Sequence, residues 1–232
     1  VFGRQIRGAR ARGCDAEYLF LADVGQLARE AQADTPAAET RAALAYAEQI
    51  LEQEQWSFHD VRRTWFYLDN ILDWYCDFNT VRNQAFKQMG LLNGHPDTLV
   101  PASTGIHGRN ARGGWCTLDL LAMKPVEGQP FEIQRLKNPR QNEATSYGSA
   151  FSRGLSIKTA TSLYVFVSGT ASIDEQGKTV HPGNFDRQVR RTVENVESLL
   201  ISAGARLEDI CQATVFIKNQ QDVERYLRMA GR

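Results

Sequence analysis

The side chains that could do chemistry in this chain are few and lie far apart. Tyr147 and Arg153 sit in "SYGSAFSRG", Arg62 and Arg63 in "VRRTWFYL", Ser103 and Thr104 in "PASTG", and Ser168 and Gly169 in "SGTAS". A guanidinium offers a fork of N–H donors that fits a carboxylate at two points, and a turn rich in small residues can turn backbone amides toward an anion. The chemistry these groups could do is the binding of a small carboxylate. Each feature also has an ordinary reading. Arg153 as a surface arginine, Tyr147 as an interface cap with its hydroxyl on backbone, and "SGTAS" as a tight strand exit need no ligand. Asp119, between Leu118 and Leu120, reads equally as an acid or as a solvent-facing strand residue.

Composition limits the partners. The chain has 232 residues, 42% of them apolar, enough for one large or two ordinary cores. Lys+Arg and Asp+Glu stand at 27 each, so no net field favours nucleic acid or a membrane surface. No apolar run reaches the ~18 residues of a membrane span, and the basic start "VFGRQIRGARARG" lacks a secretory apolar core, so a cytoplasmic address is expected. Cys14, Cys76, Cys116 and Cys211 form no C-x-x-C pair and have no histidine at ligand spacing. They are expected to be reduced, buried small hydrophobes, with no metal and no cofactor bound. His59, His95, His107 and His181 fall in turns or loops, and only His107, directly after "STGI", invites a test.

The elements that position these residues repeat at a spacing of 149. "RAALAYAEQILEQEQWSFHDVRRTWFYLDNILDW" and "RRTVENVESLLISAGARLEDICQATVFIKNQQDV" both read as helix, turn, strand and second helix. Leu44, Ala47 and Leu51 form one apolar stripe, and Val189, Val193, Val196, Leu200 and Ala203 form its counterpart, each predicting a helix laid on a sheet. Strands are expected from Asp60 and from Asp209, with alternation placing Arg62 and Arg63 on opposite faces. Further strands are expected at 15–24, at 99–109, from Gly114 to Pro125, and at 162–173, the last folding into a hairpin through "DEQGKTV". The reading is an α+β protein of two tandem units, each a mostly antiparallel sheet with two helices on one face. Unit one spans 1–126, a proline-broken connecting segment with the candidate site spans 127–160, and unit two spans 161–232. At this spacing the counterparts of Pro101 and Asp119 fall beyond Arg232, so unit two is expected to lack its last two strands and to expose a sheet edge that a homo-oligomer partner covers.

This order of elements, with "RRTWFYL", "YCDF", "PASTGI", "NP" followed by "YG…F.R", and "FVSGTASI", resembles the RidA/YjgF family, also called L-PSP endoribonuclease-like, and within it the chorismatases. The resemblance covers nearly the whole chain from Asp15. It implies chorismate-mutase-like units with a ligand cleft, a small carboxylate as substrate, and hydrolysis of chorismate or a similar cyclic enolpyruvyl carboxylate with release of pyruvate. It places Tyr147 and Arg153 against the substrate, Tyr147 as the catalytic candidate, with Arg63, Thr104, Ser168 and Gly169 as further binding candidates. RidA deaminases carry an Arg directly after "PA"; here Ser103 and Thr104 follow, so that activity is not expected. "YGSAFSR" is about three residues shorter than its chorismatase equivalent, which points to another substrate shape. The family's proton-donating Glu belongs to the last strand of unit two, outside the sequence. A non-catalytic or differently specific RidA-like binding protein is the alternative. Neither basic patches nor base-stacking surfaces support the ribonuclease label.

Overall fold

The computed structural model describes residues 7–25, 33–93, 99–110 and 113–231. It divides into two compact units. The first comprises the chain up to Leu136 together with Glu143–Gly169, and the second comprises Lys137–Asn142 with the chain from Thr170.

In the first unit, β1 (Arg7–Arg12), β2 (Ala16–Ala22), β3 (Val61–Leu68), β4 (Ala102–His107) and β5 (Cys116–Pro125) form a sheet in the order β1-β2-β5-β3-β4. Only β3 and β4 run parallel; the other neighbours are antiparallel. Two helices supply the core on one face, α1 (Pro36–Gln53) and α2 (Ile71–Gln88). Thr35 caps α1 by accepting the Ala38 N–H, and Pro36 opens it where a missing N–H costs nothing. Its stripe of Leu44, Ala47 and Leu51 is fully buried with Leu19 and Leu21 of β2, Phe66 and Leu68 of β3, and Phe78 and Phe86 of α2. The mostly antiparallel sheet with two helices on one face is thus present in this unit.

The opposite face of that sheet carries a second, three-stranded sheet: β6 (Phe131–Leu136), β7 (Gly154–Thr159) and β8 (Leu163–Val167), all antiparallel. Ala16, Tyr18, Leu121 and Met123 meet Phe131, Ile133, Ile157, Tyr164 and Phe166 there. The hydroxyls of Tyr18 and Tyr164 are 2.7 Å apart, and Asp15 accepts both the N–H and the hydroxyl of Thr161. Strands β6 and β7 lie inside the segment expected to be a connection. Their alternation in "FEIQRL" and "GLSIKT" is masked by the neighbouring prolines. The edge strand β1 also went unread, because "RGARAR" has no apolar face of its own.

In the second unit, α3 (Phe185–Ser202) is capped by the Asn184 side chain on the Arg187 N–H, and α4 is Val223–Ala230. The expected stripe of α3 is only partly covered. Leu200 is buried but Val193 is exposed, and the fully buried face instead carries Asn195 and Leu199. Asn195 turns inward because its side-chain amide N–H donates to the carbonyls of Ala171 and Ile173, while its backbone carbonyl accepts from the Asn138 side chain. The strand expected from Asp209 is not formed: residues 210–217 pair with no strand among the described residues and are exposed except for a half-buried Ile217. The hairpin expected after residue 173 contracts to a single bridge between Ile173 and Thr179, with Asp174 capping the turn. Among the described residues no helix is long and apolar enough to cross a membrane.

Candidate functional site

The "SYGSAFSRG" stretch is anchored by α2. A short 3-10 turn, Ala144–Tyr147, ends at Gly148 in the left-handed region (φ 79°), a conformation glycine adopts without steric cost. Asn83 donates to the Gly148 carbonyl and accepts from the Ala150 N–H, while the Ser149 hydroxyl donates to the Asn79 side chain. Two asparagines four residues apart on one helix face therefore fix the loop. Ala150 enters the main core, and Phe151 is buried with its ring edge-on to Tyr147.

This arrangement brings Tyr147 and Arg153 together. The Arg153 guanidinium is 5.5 Å from the Tyr147 ring centre and 5.4 Å from that of Phe151, and Arg153 is only 4% exposed. Tyr147 remains 45% exposed, the solvent-facing member of the group. Burial pushes its phenol upward, and the Arg153 charge and hydrogen bond pull it back.

Arg63, Thr104, Ser168 and Gly169 meet at a second place. The Arg63 guanidinium donates to the Thr104 hydroxyl and to the Thr64 carbonyl and stacks 4.8 Å from the Trp65 ring centre. Burial lowers its pKa to about 10, so it stays charged at neutral pH. A β-carbon on Gly169 would stand 3.0 Å from the Thr104 side chain, which is why the chain closes here on glycine. The two places are joined through main chain: the Ser168 N–H donates to the Arg153 carbonyl, and the Ser168 hydroxyl accepts from the Ser103 N–H.

Several expectations change at this point. The N–H groups of Ser168 and Gly169 are bonded to the carbonyls of Arg153 and Ser103, so they do not form an amide nest. Arg62 and Arg63 do not alternate, because a bulge between Val61 and Arg63 inserts an extra residue. Both guanidiniums therefore lie on the side away from the helices, Arg62 over Phe131 and Arg63 over Trp65. His107 accepts the Asn70 N–H at the left-handed start of α2, a structural task. His95 lies outside the described residues. Asp119 is half-buried on the Arg63 face of the sheet; burial raises its carboxyl while the Asp23 N–H it accepts works against that shift.

Sequence reading missed Arg82. It projects from α2, seven residues after Tyr75 and three after Asn79, and is among the largest fully buried side chains, at 2% exposure. Its guanidinium donates to Asn79 at 2.7 Å and lies 4.9 Å from the Phe78 ring centre and 5.5 Å from that of Phe151. Tyr75, Asn79 and Arg82 recur on one helix face, a pattern that a solvated face shows equally well.

Comparison with known proteins bears first on the 85 residues that follow Tyr147. Residues 148–232 match the Endoribonuclease L-PSP family. The family segment begins between Tyr147 and Arg153 and runs through β7, β8, α3 and α4. A RutC family protein of Pyrococcus abyssi is 34% identical over 59 residues, 25% of this chain and 46% of that relative. Another, of Saccharolobus solfataricus, is 32% identical over 62 residues, 27% and 49% of the two chains. The chain thus spans about half the length of the curated relatives it matches. Among solved structures, Escherichia coli TdcF with bound serine aligns at 13% identity and a TM-score of 0.39, over 53% of this chain and 91% of that one. RidA from an Antarctic Psychrobacter aligns at 14% identity and a TM-score of 0.35, over 49% and 84%.

Proposed function

We propose that the chain consists of two RidA-like units in tandem, around residues 1–126 and 161–232. We further propose that its Tyr147–Arg153 site takes chorismate or a similar cyclic enolpyruvyl carboxylate, as chorismatases do. The observation that carries this reading is a guanidinium, almost removed from water, set against the rings of Tyr147 and Phe151 in a loop pinned to α2. Arg153 receives a carboxylate, Tyr147 orients the ring, and Arg63 with Thr104 supplies a second polar place close by. Hydrolysis needs a carboxylic acid kept protonated by burial to give its proton to the methylene carbon of the enol ether. The resulting oxocarbenium ion takes up water, and the hemiketal so formed collapses to pyruvate and an alcohol. No described residue is assigned the proton-donor role.

Calorimetric titration of chorismate tests this reading. Arg153→Ala is expected to weaken binding by about 1.5–3 kcal/mol, the worth of a shielded charge-assisted bond, while Tyr147→Phe should affect pyruvate release more than affinity. Equal affinity in wild type and Arg153→Ala would remove Arg153 from the site. A second reading, a RidA-like binding protein without hydrolysis, is favoured by the groups that face Tyr147 electrostatically: Arg153, Tyr75 and Arg82, two cations and a phenol with no acid among them. Chorismate binding without pyruvate release selects that reading.

A further inference from the structure

We infer that the cleft between Asp69 and Arg109, at the start of α2, binds a small zwitterion. Asp69 takes its ammonium group, Arg109 takes its carboxylate, and Trp115 faces the remainder. The inference concerns other residues than Tyr147 and Arg153 and does not depend on the chorismate reading.

The cleft has a volume of about 400 Å³, at the small end of the range for small-molecule sites, and its lining includes Glu39, Asp69, Arg109, Gly113, Gly114 and Trp115. All of these belong to the first unit. Main-chain bonds fix the frame. The Trp115 carbonyl accepts the Asp69 N–H, and the Trp115 N–H donates to Glu39 in the first turn of α1. The other Glu39 oxygen accepts the Cys116 N–H, so this carboxylate holds the start of β5 and is not offered to a ligand. Arg109 stands between two anchored neighbours. The Gly108 N–H donates to the Leu68 carbonyl, and the Asn110 side chain donates to Asp23 and to Thr117. The backbone around the cleft is therefore set before any ligand arrives.

The two charged side chains inside that frame are not used up by each other. The Asp69 side chain is only 19% exposed, yet among the described residues its carboxylate has a single polar partner, the Arg109 Nε at 3.9 Å, beyond hydrogen-bond range. A carboxylate largely withdrawn from water calls for donors closer than that. Arg109 is mostly in solvent, so a pair this long holds it weakly and opens readily. The charges then select the ligand. A lone ammonium on Asp69 would sit against the Arg109 cation, and a lone carboxylate on Arg109 would sit against the Asp69 anion. A molecule with both groups side by side gives each side chain a partner at bonding distance. Trp115 lines the same cleft and stays 37% exposed, which offers an apolar wall to the body of the ligand. An α-amino acid with a flat apolar side chain meets all three demands.

The experiment titrates wild type, Asp69→Asn and Arg109→Gln with L-phenylalanine, with 2-phenylethylamine, which keeps only the ammonium group, and with 3-phenylpropionate, which keeps only the carboxylate. Wild type is expected to bind L-phenylalanine about tenfold or more tightly than either half molecule, and each variant to lose about tenfold of that affinity. Both variants should melt close to wild type, since the pair they break is long and weak. Arg109→Gln changes an exposed side chain and serves as the reporter if Asp69→Asn does not fold. Equal affinity of wild type and Arg109→Gln for L-phenylalanine overturns the proposal. So does a wild type that binds either half molecule as tightly as L-phenylalanine. No binding of L-phenylalanine to wild type overturns it too and leaves Asp69 and Arg109 a surface ion pair.

Discussion

Val61–Leu68 and residues 210–217 stand 149 positions apart, carry the same kind of β-branched and aromatic pattern, and end up in opposite conditions. The first is β3, held between β5 and β4, with Phe66 fully buried. The second joins no ladder, and Val215, at the position of Phe66, is 50% exposed. The lead-in to both is nevertheless the same. α1 and α3 each have 18 residues, and Gln55 and Gly204 follow them with φ of 64° and 74°. Asp60 and Asp209 then accept the N–H groups of Ser57 and Arg206, each at 2.9 Å, in matching 3-10 turns. Local structure survives the change of context because its hydrogen bonds close within a few residues. A strand does not, because half its backbone groups need a partner from elsewhere.

The sharpest way to break this comparison is truncation inside the two strands. Phe66→Ala should cost about 3–5 kcal/mol by denaturant titration, from the lost apolar transfer and the cavity left behind, whereas Val215→Ala should stay within about 0.5 kcal/mol. Equal costs would mean that residues 210–217 are packed in solution.

The turns should respond alike. Asp60→Ala and Asp209→Ala each remove one carboxylate cap and are expected to cost about 0.5–2 kcal/mol, read from the same titrations. A loss at Asp60 alone would show that the second turn is not held by its own contacts.

The smallest effect concerns the residue after each helix. Gln55 pays for a left-handed backbone that Gly204 adopts freely, so Gln55→Gly should gain, and Gly204→Gln lose, about 1 kcal/mol or less. Melting curves of the two reciprocal variants would expose any difference between the turns.

The candidate site follows the same division. Tyr147 and Arg153 were legible as a pair because both lie in one short loop whose "YG…F.R" pattern resembles that of the chorismatases. Arg82 was not legible, since nothing within α2 distinguishes a buried arginine from a solvated one. Its burial depends on a loop 65 residues later that two asparagines tie down. Arg62 and Arg63 were misplaced for a related reason. Strict alternation fails at a bulge, and a bulge is a property of the pairing with β5.

The sequence by itself determined what short range can enforce: the caps of α1 and α3, the paired 3-10 turns, the buried stripe of α1, and the strands whose apolar period matches a sheet face. Only the tertiary structure decided which strands found partners, which face of α3 turned inward around Asn195, and which guanidiniums lost their water. The physical reason is range. Helical and turn bonds connect residues a few positions apart, whereas ladder pairing, burial and the cost of a desolvated charge depend on groups the chain brings in from far away.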